Sequence, residues 1–117
     1  IISNIFFVTK GGIYMFKKLC SFFRIDRSDL SYEEAISIYK RHDGIIIDVR
    51  NPEEYKSKHV KGAINIPLYE MDNIKNEIID PDEVILLYCK TGKRSRMAKE
   101  ILLQEGYENV YTFDAKI

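Results

Sequence analysis

Val84-Ile85-Leu86-Leu87-Tyr88 is an unbroken apolar run that passes directly into Cys89-Lys90-Thr91-Gly92-Lys93-Arg94-Ser95. Continuous rather than alternating apolarity marks a strand buried on both faces, as in a parallel sheet covered by helices on each side. Ile45-Ile46-Ile47 has the same character and reads as a second central strand. Downstream, Met97, Ala98, Ile101 and Leu102 form one helical stripe that ends at Gly106, and Val110-Tyr111-Thr112-Phe113 reads as the last strand.

Working outward, Asp80-Pro81-Asp82-Glu83 is a turn feeding the Val84 strand, and Leu68, Met71, Ile74 and Ile78 predict a helix before it. Ala63-Ile64-Asn65-Ile66-Pro67 is a short strand bounded by Gly62 and Pro67. Asn51-Pro52-Glu53-Glu54-Tyr55 opens a short helix, with Asn as cap, Pro at the first turn and acids near the positive helix end. Ser31 and Glu34 form a capping box for a helix carrying Ala35, Ile36 and Tyr39, which stops in the run Lys40-Arg41-His42-Asp43 before Gly44. Strands alternate with helices throughout, so the fold class is α/β, with a mainly parallel sheet between helical layers. Working sites in such folds lie beyond the carboxyl ends of the strands, where Cys89 stands.

A cysteine at a strand end is by itself an ordinary small core residue. The loop around Cys89 argues otherwise. Consecutive amides between a strand and a helix start can curl around the sulfur, and with the helix dipole they favour a thiolate, a nucleophile near neutral pH. Gly92 suits the turn because it takes positive φ freely. Lys93, Arg94 and Arg96 crowd the helix amino terminus, where each positive charge costs roughly 0.3–1 kcal/mol. No acid stands near them in sequence to relieve that cost, so the expected use is binding an anion.

Length and composition set the limits. The chain has 117 residues, enough for one domain, with 45% hydrophobic, 31% charged and 12% aromatic residues, a balance that excludes disorder for most of it. Lys plus Arg equals Asp plus Glu at 18 each, which leaves no global field for nucleic acid or an anionic membrane. Cys20 and Cys89 with His42 and His59 have no metal-ligand spacing, so neither a metal nor a disulfide framework is expected. Lys10, Lys17, Lys18 and Arg24 break the amino-terminal apolar region below the ~18 residues a membrane span needs. A cytoplasmic, bacterial protein is expected.

Residues 1–14 are read as a translated leader or a disordered tail. Lys10-Gly11-Gly12 can be encoded by a purine-rich ribosome-binding run, and Met15 follows at start-codon spacing. Residues 15–29 are read as an amphipathic segment, in which Cys20 packs among Phe16, Leu19, Phe22 and Phe23. Asp48 and Arg50 are expected to be structural, pairing or capping at a strand end. His59 is expected to bond backbone rather than serve Cys89 as a base, and His42 lies at a charged helix end.

From about Leu30 to Phe113 the sequence resembles the rhodanese-like domains. The carriers are Ile47-Asp48-Val49-Arg50-Asn51-Pro52-Glu53-Glu54-Tyr55, His59-Val60-Lys61-Gly62-Ala63-Ile64-Asn65-Ile66-Pro67, the loop Cys89 to Ser95, and Glu105-Gly106-Tyr107-Glu108-Asn109-Val110-Tyr111. The resemblance implies a three-layer α/β/α domain over residues 30–117. It also implies a sulfurtransferase in which Cys89 takes a sulfane sulfur from thiosulfate or a persulfide and passes it to cyanide or a thiol. Cys89 would be the nucleophile, Arg94 the donor-anion contact, and Lys90, Thr91, Gly92, Lys93, Arg94 and Ser95 the substrate cradle. No cofactor is implied, and the acceptor side extends to a thiol protein such as thioredoxin. Lys58 and Lys61 replace residues that are often Gly and Pro in the family and are expected to be exposed. Ala115 and Lys116 stand where a Gly-Gly turn is usual, and the closing C-terminal helix is missing from the sequence given, as in a truncated or unusually short chain. Two rivals remain. One is a non-catalytic interaction module on the same fold. The other is a cysteine-loop phosphatase or arsenate reductase, which the four residues between Cys89 and Arg94 disfavour because that chemistry uses a longer loop.

Overall fold

Glu34 donates its amide to Ser31 Oγ at 3.0 Å while its carboxylate accepts from the Ser31 amide at 2.9 Å, so the capping box is closed. That cap opens helix α1, Tyr32–His42, in a computed structural model that describes residues 29–117. The readings of residues 1–14, of the segment after them and of Cys20 lie outside the described residues. α1 ends on Asp43 at φ 53°, so the left-handed stop falls one residue before the expected Gly44. Then follow β1 (Ile45–Asp48), α2 (Pro52–Ser57), β2 (Ile64–Asn65), a 3-10 helix (Leu68–Asn73), α3 (Ile74–Glu77), β3 (Ile85–Tyr88), α4 (Lys93–Gln104) and β4 (Val110–Thr112).

Among the described residues the sheet order is β2-β1-β3-β4 with every pairing parallel, and β1 and β3 are its buried centre. Leu30 adds one parallel bridge to Phe113 beyond β4. Period-two alternation splits the strands between two cores. Ile47, Ile85 and Leu87 face Met71, Ile74, Ala98 and Leu102 from the 3-10 helix, α3 and α4. Ile46, Leu86 and Tyr88 face Ala35 of α1, with Ile36, Tyr39 and Tyr55 packed against them. The result is the three-layer α/β/α arrangement. After β4, Phe113 and Ala115 are buried in the second core with Ile117 against it, and no helix follows among the described residues.

Three local expectations are corrected. Leu68, Met71 and Ile74 recur every three residues, which is the 3-10 period, and the chain takes that form before one turn of α-helix. β2 shrinks to Ile64–Asn65 because it is an edge strand paired on one side only. Met97 is 53% exposed, so the buried face of α4 runs through Ser95, Ala98 and Leu102 instead.

Candidate active site

β3 delivers Cys89 to the carboxyl edge of the sheet, and α4 begins four residues later. Gly92 makes the turn between them at φ 91°, a conformation costly for a residue with a Cβ. A Cβ there would also lie 2.8 Å from Arg96 Nη1, which folds over the loop. The turn aims the Gly92 and Ser95 amides at Cys89 Sγ, at 3.1 and 3.3 Å. The Cys89 thiol donates to Ser95 Oγ at 3.6 Å, and that hydroxyl donates to the Gly92 carbonyl at 3.1 Å. When the sulfur ionises, the hydroxyl can turn its proton toward it.

Cys89 is 5% exposed. Burial pushes its thiol up, but the Ser95 hydroxyl and the amides of Ser95, Gly92 and Arg94 outweigh it and hold the pKa below the usual thiol value. A cavity of about 220 Å³ opens onto the sulfur, walled by Lys90, Thr91, Gly92 and Phe113 and by the carboxylate residues Asp29 and Asp114.

Two of the three cations at the start of α4, Arg94 and Arg96, are paired with carboxylates. Arg94 makes a bidentate contact with Glu54 of α2, 2.8 and 3.2 Å, across 40 positions of sequence. Hydrogen bonding by Arg94 holds Glu54 down to about 2, and the same contact raises the Arg94 pKa. Arg96 pairs with Asp29 at 3.1 Å, across 67 positions, and Thr112 Oγ1 donates to the other Asp29 oxygen. The expectation that no acid relieves these charges is therefore corrected for Arg94 and Arg96: tertiary structure supplies the carboxylates that local sequence lacks. Of the cradle residues named from sequence, Cys89, Lys90, Thr91 and Gly92 line the cavity, Ser95 lies buried beneath the sulfur, and neither Lys93 nor Arg94 is part of the wall. Glu54 was not singled out for the site, although its capping contact with the Asn51 amide at 3.0 Å marks its place. Asp29 and Asp114 carry no local signal at all.

Asp48 and Arg50 are buried and bonded to each other. Arg50 Nε and Nη2 grip the Asp48 carboxylate at 2.9 and 2.7 Å, the Arg50 amide adds a bond at 2.9 Å, and Tyr88 OH donates to Asp48 at 2.8 Å. His59 Nδ1 donates to the Tyr55 carbonyl at 2.8 Å, and its ring stacks on Tyr55. It borders a separate cavity with Lys58 and Lys61, both exposed. Among the described residues no group of side chains is placed to hold a metal, and no helix is long and apolar enough to cross a membrane.

The family model for the rhodanese-like domain matches residues 31–115. The chain belongs to that family. Thiosulfate sulfurtransferase PspE of Escherichia coli K12 is 48% identical over 65 residues, which are 55% of this chain and 62% of that protein, so the chain spans under two thirds of its relative. A solved structure described as rhodanese with anions from E. coli is 42% identical, covers 62% of this chain and 84% of its own, and has a TM-score of 0.54. The human single-domain sulfurtransferase TSTD1, at 21% identity and TM-score 0.64 over 75% of this chain and 89% of its own, shows the same fold. In this rhodanese-like domain the loop from Cys89 to Ser95 wraps one sulfur, and Glu54 of the first quoted motif reaches that loop through Arg94, whereas Tyr107 and Asn109 bond Ile78 and Asp82 before β3.

Proposed function

We propose that the chain is a sulfurtransferase that moves a sulfane sulfur from thiosulfate or a persulfide to cyanide or a thiol through Cys89. One observation carries this reading: a buried sulfur at the floor of a cavity, with the Gly92 and Ser95 amides converging on it. Fixed donors aimed at a developing anion stabilise it without reorganisation. The Cys89 thiolate attacks the outer sulfur of thiosulfate, forming a Cys89 S–S bond as the sulfur–sulfur bond of the donor breaks and sulfite departs. Cyanide then attacks the outer sulfur of the persulfide, releasing thiocyanate and restoring the thiolate. The cradle serves both half-reactions, since it holds Cys89 Sγ as nucleophile in the first and as leaving group in the second. The relatives named thiosulfate sulfurtransferase support the same chemistry.

The test is a thiosulfate:cyanide assay of the purified protein, together with mass analysis after thiosulfate alone. Thiocyanate turnover and a gain of about 32 Da on the Cys89 peptide are expected, the persulfide being a reversible cap on the thiolate. Sulfur found only on Cys20, or hydrolysis of an aryl phosphate at a comparable rate, would overturn the assignment.

A further inference from the structure

The charges around the Cys89 cavity form an asymmetric pair. Its wall carries three charged side chains, Asp29, Asp114 and Lys90. Asp29 is already compensated, since Arg96 Nη1 lies 3.1 Å from one oxygen and Thr112 Oγ1 donates to the other. Asp114 accepts only the neutral Lys116 amide, at 3.0 Å, and among the described residues neither Asp114 nor Lys90 enters an ion pair. Arg94, the guanidinium nearest in sequence, is taken by Glu54. One uncompensated carboxylate and one uncompensated ammonium therefore share a cavity whose floor is the sulfur.

A dianion such as thiosulfate meets one opposite and one like charge there. A zwitterion meets an opposite charge for each of its own. We propose that Asp114 and Lys90 make this cavity selective for a zwitterionic aminothiol, cysteine being the simplest, as the acceptor of the Cys89 sulfur. The ammonium lies toward Asp114, the carboxylate toward Lys90, and the thiol toward the sulfur. A volume of about 220 Å³ is ample, since one water needs only about 10–15 Å³. This inference rests on the sulfur-transfer reading and adds the acceptor class to it. In the step, the acceptor thiolate, its proton lost to solvent, attacks the outer sulfur of the Cys89 persulfide. A new S–S bond forms on the acceptor, the S–S bond to Cys89 breaks, and Cys89 leaves as a thiolate, so no external oxidant or reductant is used. Lys90 and Asp114 are both exposed, so discrimination against acceptors with one charge missing arises from loss of one charge–charge attraction of surface strength.

The experiment loads the full chain with inorganic polysulfide, removes the excess, and verifies the added sulfur on the Cys89 peptide. Single-turnover loss of that sulfur is then timed with L-cysteine, with N-acetylcysteine, which lacks the ammonium, and with cysteine methyl ester, which lacks the carboxylate. Comparing rate ratios between proteins cancels the intrinsic reactivity of each thiol. Asp114→Asn should lower the cysteine to N-acetylcysteine ratio about fivefold, and Lys90→Gln should lower the cysteine to methyl ester ratio by a similar factor, the upper end of what an exposed charge pair supplies. Ratios identical to wild type in both variants would overturn the selectivity and leave sulfur transfer standing. Failure of Cys89 to take up sulfur would overturn both.

Discussion

The loops after β1 and β3 leave the sheet side by side, because the two strands pair in parallel with Asp48 opposite Tyr88. Both carry charged residues directly beyond a buried strand, yet they do opposite things. At the end of β1, Asp48 and Arg50 turn toward each other and Tyr88 closes the set, so the carboxylate and the guanidinium Nε and Nη2 find partners inside the protein. After β3, the amides of Gly92 and Ser95 converge on one sulfur that faces a cavity. Equivalent positions in a parallel sheet thus serve as a bolt or as a reactive centre. The difference lies in whether the polar groups are satisfied from within.

The comparison breaks most completely at the sulfur. Cys89→Ser should abolish sulfur transfer and leave the unfolding midpoint nearly unchanged, as seen in paired turnover and thermal melts, because the hydroxyl fits the space and cannot carry a persulfide. Next in size, Asp48→Ala should cost about 3–5 kcal/mol in urea unfolding, since it strands a buried guanidinium. The fraction that remains folded should keep its turnover, and a mild stability loss would show that the β1 loop is not the bolt described.

Ser95→Ala tests the cradle more gently. It removes the hydroxyl beside Cys89 while keeping the amide, so the thiol pKa should rise and alkylation by iodoacetamide at neutral pH should slow about five- to tenfold. An unchanged pH–rate curve would mean that the backbone alone holds the sulfur anion. The smallest effect is expected at the ion pair that ties α2 to α4. Glu54 is held down to about 2 in the folded chain by Arg94, below its unfolded value of about 4.3, so its pairing stabilises fully above that value and is lost as pH falls toward 2. Glu54→Gln should therefore cost on the order of 1 kcal/mol or less at pH 7, with the gap from wild type closing between about pH 5 and pH 2 in parallel urea titrations. A gap independent of pH would assign Glu54 to packing.

Much of this molecule was legible in the residues themselves. Ile45 to Ile47 and Val84 to Tyr88 declared buried parallel strands by continuous apolarity, Ser31 and Glu34 declared a helix start, and Cys89 followed by a glycine-bearing turn declared a sulfur cradle. The charges of Arg94 and Arg96 read as unrelieved in sequence because their partners, Glu54 and Asp29, lie 40 and 67 positions away. Met97 was misplaced in the core because a helical stripe read without its neighbours fixes a period and leaves the exact buried face open by one residue.

Sequence by itself determined the alternating order of helices and strands, which cysteine follows the central strand, and which backbone amides lie within reach of it, since all of these depend on contacts a few residues apart. Only the tertiary structure decided where the charges go. Packing of α2 beside the Cys89 loop takes Arg94 for Glu54, the bridge of Leu30 to Phe113 brings Asp29 to the cavity, and the chain leaving β4 brings Asp114 there. An ion pair requires two side chains within about 4 Å, and that distance is set by sheet register and layer packing rather than by any local pattern.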